Sequence, residues 1–251
     1  IDAKVDYPKR AQNIPYLQPV FNYTLDLFSI CKIDVSKISP IPIVPQIPPW
    51  EHLIASFDTN YSNSNKQEEI NILASEVKEH LGKMYSYHLK IFTDGSLLDS
   101  GACGSGFTIP NFDIQKSFHL GNGFSIFTAE LYAIYMALDC VNSMPKTFYN
   151  ILLCVDSKSV LSALQNWDNK VRRDLIFEIK FLIHELKSKG TGVDFCWIPS
   201  HCGIRGNEMA DKLAKRGAMR GPGTVSVYPQ LRLSVHELKS MLENCVSTKF
   251  S

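Results

Sequence analysis

No run of apolar residues in this 251-residue chain comes near the roughly 18 needed to cross a bilayer. No charged leader with an apolar core opens it either, so neither a membrane span nor a secretion signal is expected. Charge of one sign is also lacking. Lys and Arg number 26 against 25 Asp and Glu, a formal net charge of +1, which neither demands nor excludes a polyanionic partner; local clusters have to decide. The seven cysteines are odd in number, with no CxxC pair and no Cys/His grouping of zinc-finger spacing. That excludes a disulfide scaffold and a structural zinc, and leaves reduced thiols in an intracellular protein of nucleus or cytoplasm. The chain opens on Ile1 rather than Met, as a piece of a longer protein or a processed product would.

What is present is enough apolar residue, 45% of the chain, to build a packed core. Proline is concentrated: eight of thirteen lie in the first 50 residues, with Pro40, Pro42, Pro45, Pro48 and Pro49 nearly consecutive. Proline fixes φ and removes a backbone donor, so residues 1–66 read as an extended connector, with a loop at SNSNK (62–66). Residues 67–86 read as a packing helix, with Ile70, Ile72, Leu73, Val77 and Leu81 at helical spacing. From residue 87 the pattern changes. YHLKIFTDG (87–95), the segment after GACGSG, and DIQKSFHL (113–120) are three successive strands. A helix follows at 125–142, with Ile126, Leu131, Ile134, Leu138 and Val141 on one face. Then come a buried strand at 149–155, helices near 157–166 and 171–189, a strand at 193–198, a Gly-rich loop and a helix at 207–218. The order βββαβααβα describes an α/β domain over 87–219: a mixed five-stranded sheet flanked by helices. Residues 220–251 read as a linker containing GPG and a short terminal helix.

Four acidic residues stand out. Asp94 ends the apolar strand LKIFTD and Asp156 ends ILLCVD. A carboxylate at the end of a buried strand is costly unless paired or metal-bound, and open α/β sheets place ligands at such ends. Each also fits a bland role, since Asp before Gly or Ser caps turns. Glu130 in FTAELYAIYMAL and Asp211 in NEMADKLAK, taken alone, fit solvated helix faces.

The runs IFTDGS, SIFTAELYAI, CVDSKSVLSAL and WIPSHCGIRGNEMADKLAK, in that order, resemble the ribonuclease H domain of non-LTR retrotransposon polyproteins over residues 87–219. The resemblance implies the ribonuclease H-like fold and hydrolysis of the RNA strand of RNA–DNA hybrids, leaving a 3′-hydroxyl and a 5′-phosphate. It implies two Mg²⁺ ions, replaceable by Mn²⁺, held by Asp94, Glu130, Asp156 and Asp211. His201, in a loop with Gly203 and Gly206, becomes an assisting group for proton movement or product release; the bland alternative is a loop-anchoring histidine. The Pro-rich first 65 residues with PPW (48–50) resemble the segment between reverse transcriptase and ribonuclease H, so a polymerase part of the same polyprotein is an expected partner. No YxDD or FxDD polymerase motif occurs here.

Hybrid contacts are expected from the backbone around Gly95 and Ser96, where the glycine permits close approach; for Thr128, a substrate contact and plain packing stand equally. Phosphate contacts are expected from Lys158, Arg205, Lys212, Lys215 and Arg216, with Lys170, Arg172 and Arg173 as a second cluster, although each lysine taken alone fits a solvated face better. Only two helices fit between Asp156 and the strand at 193, so the basic helix of some cellular enzymes is missing; Trp167 and Asp168 sit where it would begin. Weak intrinsic affinity for hybrid follows. Trp197 reads as core. Three rival readings are an inactive hybrid-binding module, another nuclease or transposase on the same fold, and a structural connector of a reverse transcriptase. The intact carboxylates argue against the first and the HCGIRGNE loop against the second. The third applies to the N-terminal part and coexists with a nuclease.

Overall fold

The structure, a computed structural model, describes residues 26–31, 33, 38, 55–61, 70–166, 171–220 and 233–250. Most of the expected connector, the expected loop at 62–66, Lys170, Trp167, Asp168 and the GPG linker lie outside them. Two compact units divide the chain: residues 43–227, and residues 1–42 with 228–251.

The larger unit is built on one sheet. Its strands are β1 (Ala55–Asp58), β2 (Leu89–Leu97), β3 (Ala102–Ile109), β4 (Ile114–Asn122), β5 (Asn150–Val155) and β6 (Gly192–Trp197), in spatial order β1-β6-β5-β2-β3-β4. β2, β3 and β4 form the antiparallel meander; β2, β5, β6 and β1 run parallel. The helices are α1 (Ile70–Lys83), α2 (Ile126–Asn142), α3 (Lys158–Gln165), α4 (Arg173–Ser188) and α5 (Arg205–Met219).

The order βββαβααβα is present, with one correction: the sheet has six strands rather than five. The sixth, ASFD, comes from the stretch read as connector and adds to β6 in parallel, with Phe57 stacked on its register partner Phe195 at 4.8 Å. On α1 the buried stripe is Leu73, Ala74, Val77 and Leu81; Ile72 faces solvent. All seven cysteines are free. Among the described residues no helix is long and apolar enough to cross a membrane.

Two helices approach the meander at backbone distance, and glycine is what permits it. A Cβ on Gly104 or Gly106 would fall 2.1 Å from the Ala218 nitrogen or 2.5 Å from that of Ala214 on α5. A Cβ on Gly95 would fall 2.6 Å from the Glu130 nitrogen on α2. Polar pins hold both helices: Ser105 Oγ donates to the Ala129 carbonyl (2.6 Å), Ser117 Oγ to that of Leu213 (2.7 Å), and His119 Nδ1 to that of Gly217 (3.0 Å). The helices therefore cannot slide relative to the strands that face them.

In the smaller unit Ile38 bridges Leu233 ahead of α6 (Val235–Phe250). Ser234 and Glu237 form a capping box: the Ser234 amide and hydroxyl both donate to Glu237 Oε2 (2.9 Å each), and the Glu237 amide donates back to Ser234 Oγ (3.3 Å). Ser234→Ala is expected to destabilise the start of α6 by about 1 kcal/mol, read as faster hydrogen exchange of its first-turn amides. Unchanged exchange would show that the cap is redundant.

Candidate active site

The parallel ladder between β2 and β5 ends at Thr93 and Val155. The next residue on each strand is an aspartate. Asp94 and Asp156 thus stand in equivalent positions one step beyond the last rung, at the point where β2 turns to its meander partner and β5 to β6. The chain leaves β2 toward β3 on one side and β5 toward β6 on the other, and open α/β sheets offer a ligand crevice at such a switch point. Asp94 was expected to end its strand; relative to β5 it does, but β2 continues to Leu97 along β3, with Asp94 opposite Gly106.

Glu130, in the second turn of α2, turns its carboxylate toward both aspartates. One ligand oxygen from each of Asp94, Glu130 and Asp156 lies within 4.8 Å of the others. Asp94 and Glu130 are 6% and 7% exposed. Burial first, then the charges of Asp156 and Asp211, push the Asp94 carboxyl up to about 8. Burial, then Asp94 and Asp156, push Glu130 well above its usual range. Asp156 is raised by burial, with a hydrogen bond from Asn207 opposing it.

α5 completes the cluster. Asp211 sits beside Asp94, and its Oδ2 accepts from Lys215 Nζ one turn along (2.8 Å). His201, Glu208 and Asp211 form a second group with ligand atoms within 4.8 Å of one another. His201 is exposed and has a left-handed backbone (φ 51°), as has Gly203 (φ 75°), whose amide donates to Glu208 Oε1 (3.1 Å). This loop enters α5 at Arg205.

The residues present suit a divalent cation. Glu130 Oε2 is buried with no hydrogen-bond partner while its carboxylate faces two others. Oxygen-only donors at this density match the preference of Mg²⁺ or Mn²⁺. Without a cation, Asp94 and Glu130 must keep protons that they would release in water.

The expected substrate residues fare unevenly. Thr128 is fully buried and belongs to the helix cap: its amide donates to Ser125 Oγ (3.2 Å), and the Ser125 hydroxyl donates to Thr128 Oγ1 (3.0 Å). It presents nothing to a ligand. Gly95 is required by the α2 backbone behind it, and Ser96 is buried. Arg172 is buried and paired with Asp174 (2.9 Å), so it leaves the second basic cluster. Lys158, Arg205, Lys212, Lys215 and Arg216 are exposed, though Lys215 is committed to Asp211. Trp197 is buried as expected, and it also ties the crevice: its indole N–H donates to the Asp156 carbonyl (2.9 Å), and Lys158 Nζ lies 4.9 Å from its ring.

Asn207 and Glu208 escaped the sequence reading. Asn207 is 3% exposed and its Nδ2 donates to Asp156 Oδ2 (3.1 Å), fixing one oxygen of that carboxylate. Both lie three or four residues before Asp211 on the same helix, a spacing that places side chains on one face.

Residues 86–219 match the RNase H family. Ribonuclease HI of Vibrio parahaemolyticus serotype O3:K6 (strain RIMD 2210633) is 28% identical to this chain over 141 residues, 52% of this chain and 90% of that protein. The matched segment begins three residues before β2 and ends with the last residue of α5, so it encloses the crevice and all the carboxylates around it. Because it also spans more than half of the sequence, the chain belongs to the RNase H family.

Proposed function

We propose that this ribonuclease H cleaves the RNA strand of RNA–DNA hybrids at the crevice between β2 and β5, with Asp94, Glu130, Asp156 and Asp211 as its metal-holding carboxylates. The observation that carries this is the triad of carboxylate oxygens within 4.8 Å of one another, those of Asp94 and Glu130 buried and Asp156 half-buried, with Glu130 Oε2 lacking a partner. Magnesium ions, or manganese in their place, supply when bound the positive charge that lowers the pKa of an attacking water and stabilises the leaving oxygen. The chain's own groups do the rest. The carboxylates of Asp94, on β2, and Asp156, one residue past β5, would hold the cations and so set where the scissile phosphate lies relative to the sheet. Asn207 holds Asp156 in one rotamer. His201, exposed on its loop beside Glu208 and Asp211, is placed to take or return a proton and to assist departure of the product. Lys158 and Arg205, exposed at the first residues of α3 and α5, contact backbone phosphates. Cleavage leaves a 3′-hydroxyl and a 5′-phosphate.

We further read residues 87–219 as the nuclease of a non-LTR retrotransposon protein whose reverse transcriptase lies on the same polypeptide. The four motif runs and the Pro-rich PPW segment ahead of them support it. A nuclease with only α3 and α4 between Asp156 and β6 among the described residues would gain hybrid affinity from such a neighbour.

The test incubates labelled RNA–DNA hybrid, duplex RNA and duplex DNA with the protein, in Mg²⁺ or EDTA. Cleavage confined to the hybrid RNA strand and abolished by EDTA is expected. Equal cutting of all three substrates, or cutting in EDTA, would sink the proposal; tight hybrid binding without cutting would favour a binding module.

A further inference from the structure

The matched family segment starts at residue 86, yet the sheet starts at residue 55. Of what lies between, β1, α1 and Tyr85 are joined to one another and to the sheet by a network of polar side chains. Asp58, at the end of β1, accepts from His80 Nε2 (2.5 Å), the Tyr85 hydroxyl (3.1 Å) and the Asn60 amide (3.2 Å). Asp194 on β6 bonds His88 Nε2 (3.0 Å) and accepts from the Ser56 hydroxyl. Tyr85 sets its ring edge-on to both histidines, with centroids at 5.7 and 5.0 Å. Burial alone would raise the Asp58 carboxyl, but its hydrogen bonds from His80, Asn60 and Tyr85 bring it below its usual value. β1 and α1 are thus clasped to each other and to β6.

The clasp determines where α1 lies. Its Leu73, Ala74, Val77 and Leu81 are buried, and the neighbouring Lys78 is exposed at the His201 loop. A Cβ built on Gly203 would find Lys78 Nζ at 3.9 Å. From the other side Glu208 accepts the Gly203 amide, and its carboxylate stands within 4.8 Å of ligand atoms of His201 and Asp211. Lys78 and Glu208 both act electrostatically on Cys202, the residue between His201 and Gly203. His201, a non-glycine residue held in the left-handed region two positions before Gly203, keeps that conformation only with support from its surroundings.

We propose that β1 (Ala55–Asp58) and α1 (Ile70–Lys83) are working parts of the nuclease, and that Lys78 is a positioning residue that holds the His201 loop against Glu208. The proposal rests on the reading of the crevice as the active site. An exposed charge contributes little to global stability, so its effect belongs in the loop and in turnover.

The experiment uses the full chain with Lys78→Met, Lys78→Arg and, as a separate control, Asp94→Asn. Steady-state cleavage of hybrid in Mg²⁺ is measured beside hydrogen exchange of residues 199–205. Lys78→Met is expected to lower kcat about five-fold with KM little changed, and to speed exchange in the loop. Lys78→Arg should restore both. Three results would overturn the proposal: unchanged kcat and exchange in Lys78→Met, a loss that Arg does not rescue, or a raised KM with unchanged loop exchange, which would make Lys78 a phosphate contact. Activity retained in Asp94→Asn would instead strike at the active-site reading, independently of Lys78.

Discussion

Asp94→Asn is expected to lower hybrid cleavage by about 10³-fold or more and, in the same protein stripped of metal, to raise Tm. Both effects come from one carboxylate. Asp94 is buried beside Asp156 and Asp211, which lifts its folded-state pKa to about 8 from 3.8. The native state therefore keeps a proton that the unfolded chain has already released between these values. Stability from this group is fully present below about pH 4 and is lost as pH rises through about 8. Asparagine has the same shape and no charge to lose, so its advantage over the wild type is small at pH 5 and largest near pH 8. Thermal melts in EDTA at the two pH values measure it. Saturating Mg²⁺ should reverse the order, because binding to the folded state stabilises the wild type and the variant has lost a ligand. A variant that melts below the wild type in EDTA at pH 8 would mean that Asp94 is held by hydrogen bonds rather than repelled by its neighbours. Undiminished cleavage would remove Asp94 from the site.

Much of this site was legible in the sequence for a simple reason. Asp94 and Asp156 each follow a run of apolar residues, and a charge at such a place is conspicuous without any structure. Glu130 and Asp211 are different. Acidic residues on helices are common, and although α2 is buried over most of its length and α5 is amphipathic, only the order of motifs tied these two to the aspartates. Asn207 was missed because a buried asparagine announces itself through its partner, and that partner lies 51 residues away. The i, i+4 relation of Asn207 to Asp211 was the available signal. For Thr128 the sequence left a substrate contact and plain packing open; it is fully buried in the helix cap, because residues two apart on a helix point in different directions. β1 was hidden by its brevity. Four residues beside a Pro-rich stretch carry no periodicity worth reading, and ASFD becomes a strand through the edge that β6 offers, a partner more than 130 residues away.

Gly95→Ala separates two explanations of the same residue, and a large effect is expected. Read from the sequence, Gly95 beside Asp94 lets a substrate backbone come close. In the fold, what comes close is α2: an added Cβ would lie 2.6 Å from the Glu130 nitrogen and 2.9 Å from both the Ala129 carbonyl carbon and its Cβ. These are backbone atoms and a rigid methyl, with no flexible side-chain end to swing aside. The helix cannot yield cheaply either, because Ser105 Oγ holds the Ala129 carbonyl at 2.6 Å from the neighbouring strand. Overpacking of this kind costs about 1–3 kcal/mol, occasionally more, and the upper part of that range is expected. Relief by moving α2 outward would carry the Glu130 carboxylate away from Asp94 and Asp156. A displacement of about 1 Å at a catalytic group can cost some 10²-fold in rate, so kcat should fall by roughly that factor, with a weaker response of Tm to Mg²⁺. Gly82→Ala serves as the control: nothing lies within 4 Å of its Cβ position on α1, and removing a helical glycine should stabilise by about 0.5–1 kcal/mol. If Gly95 instead serves the substrate, the alanine variant keeps its Tm and its metal response, and only KM for hybrid rises. That pattern would return the glycine to the role its sequence context suggested and would leave the close seating of α2 on β2 as the feature needing another explanation.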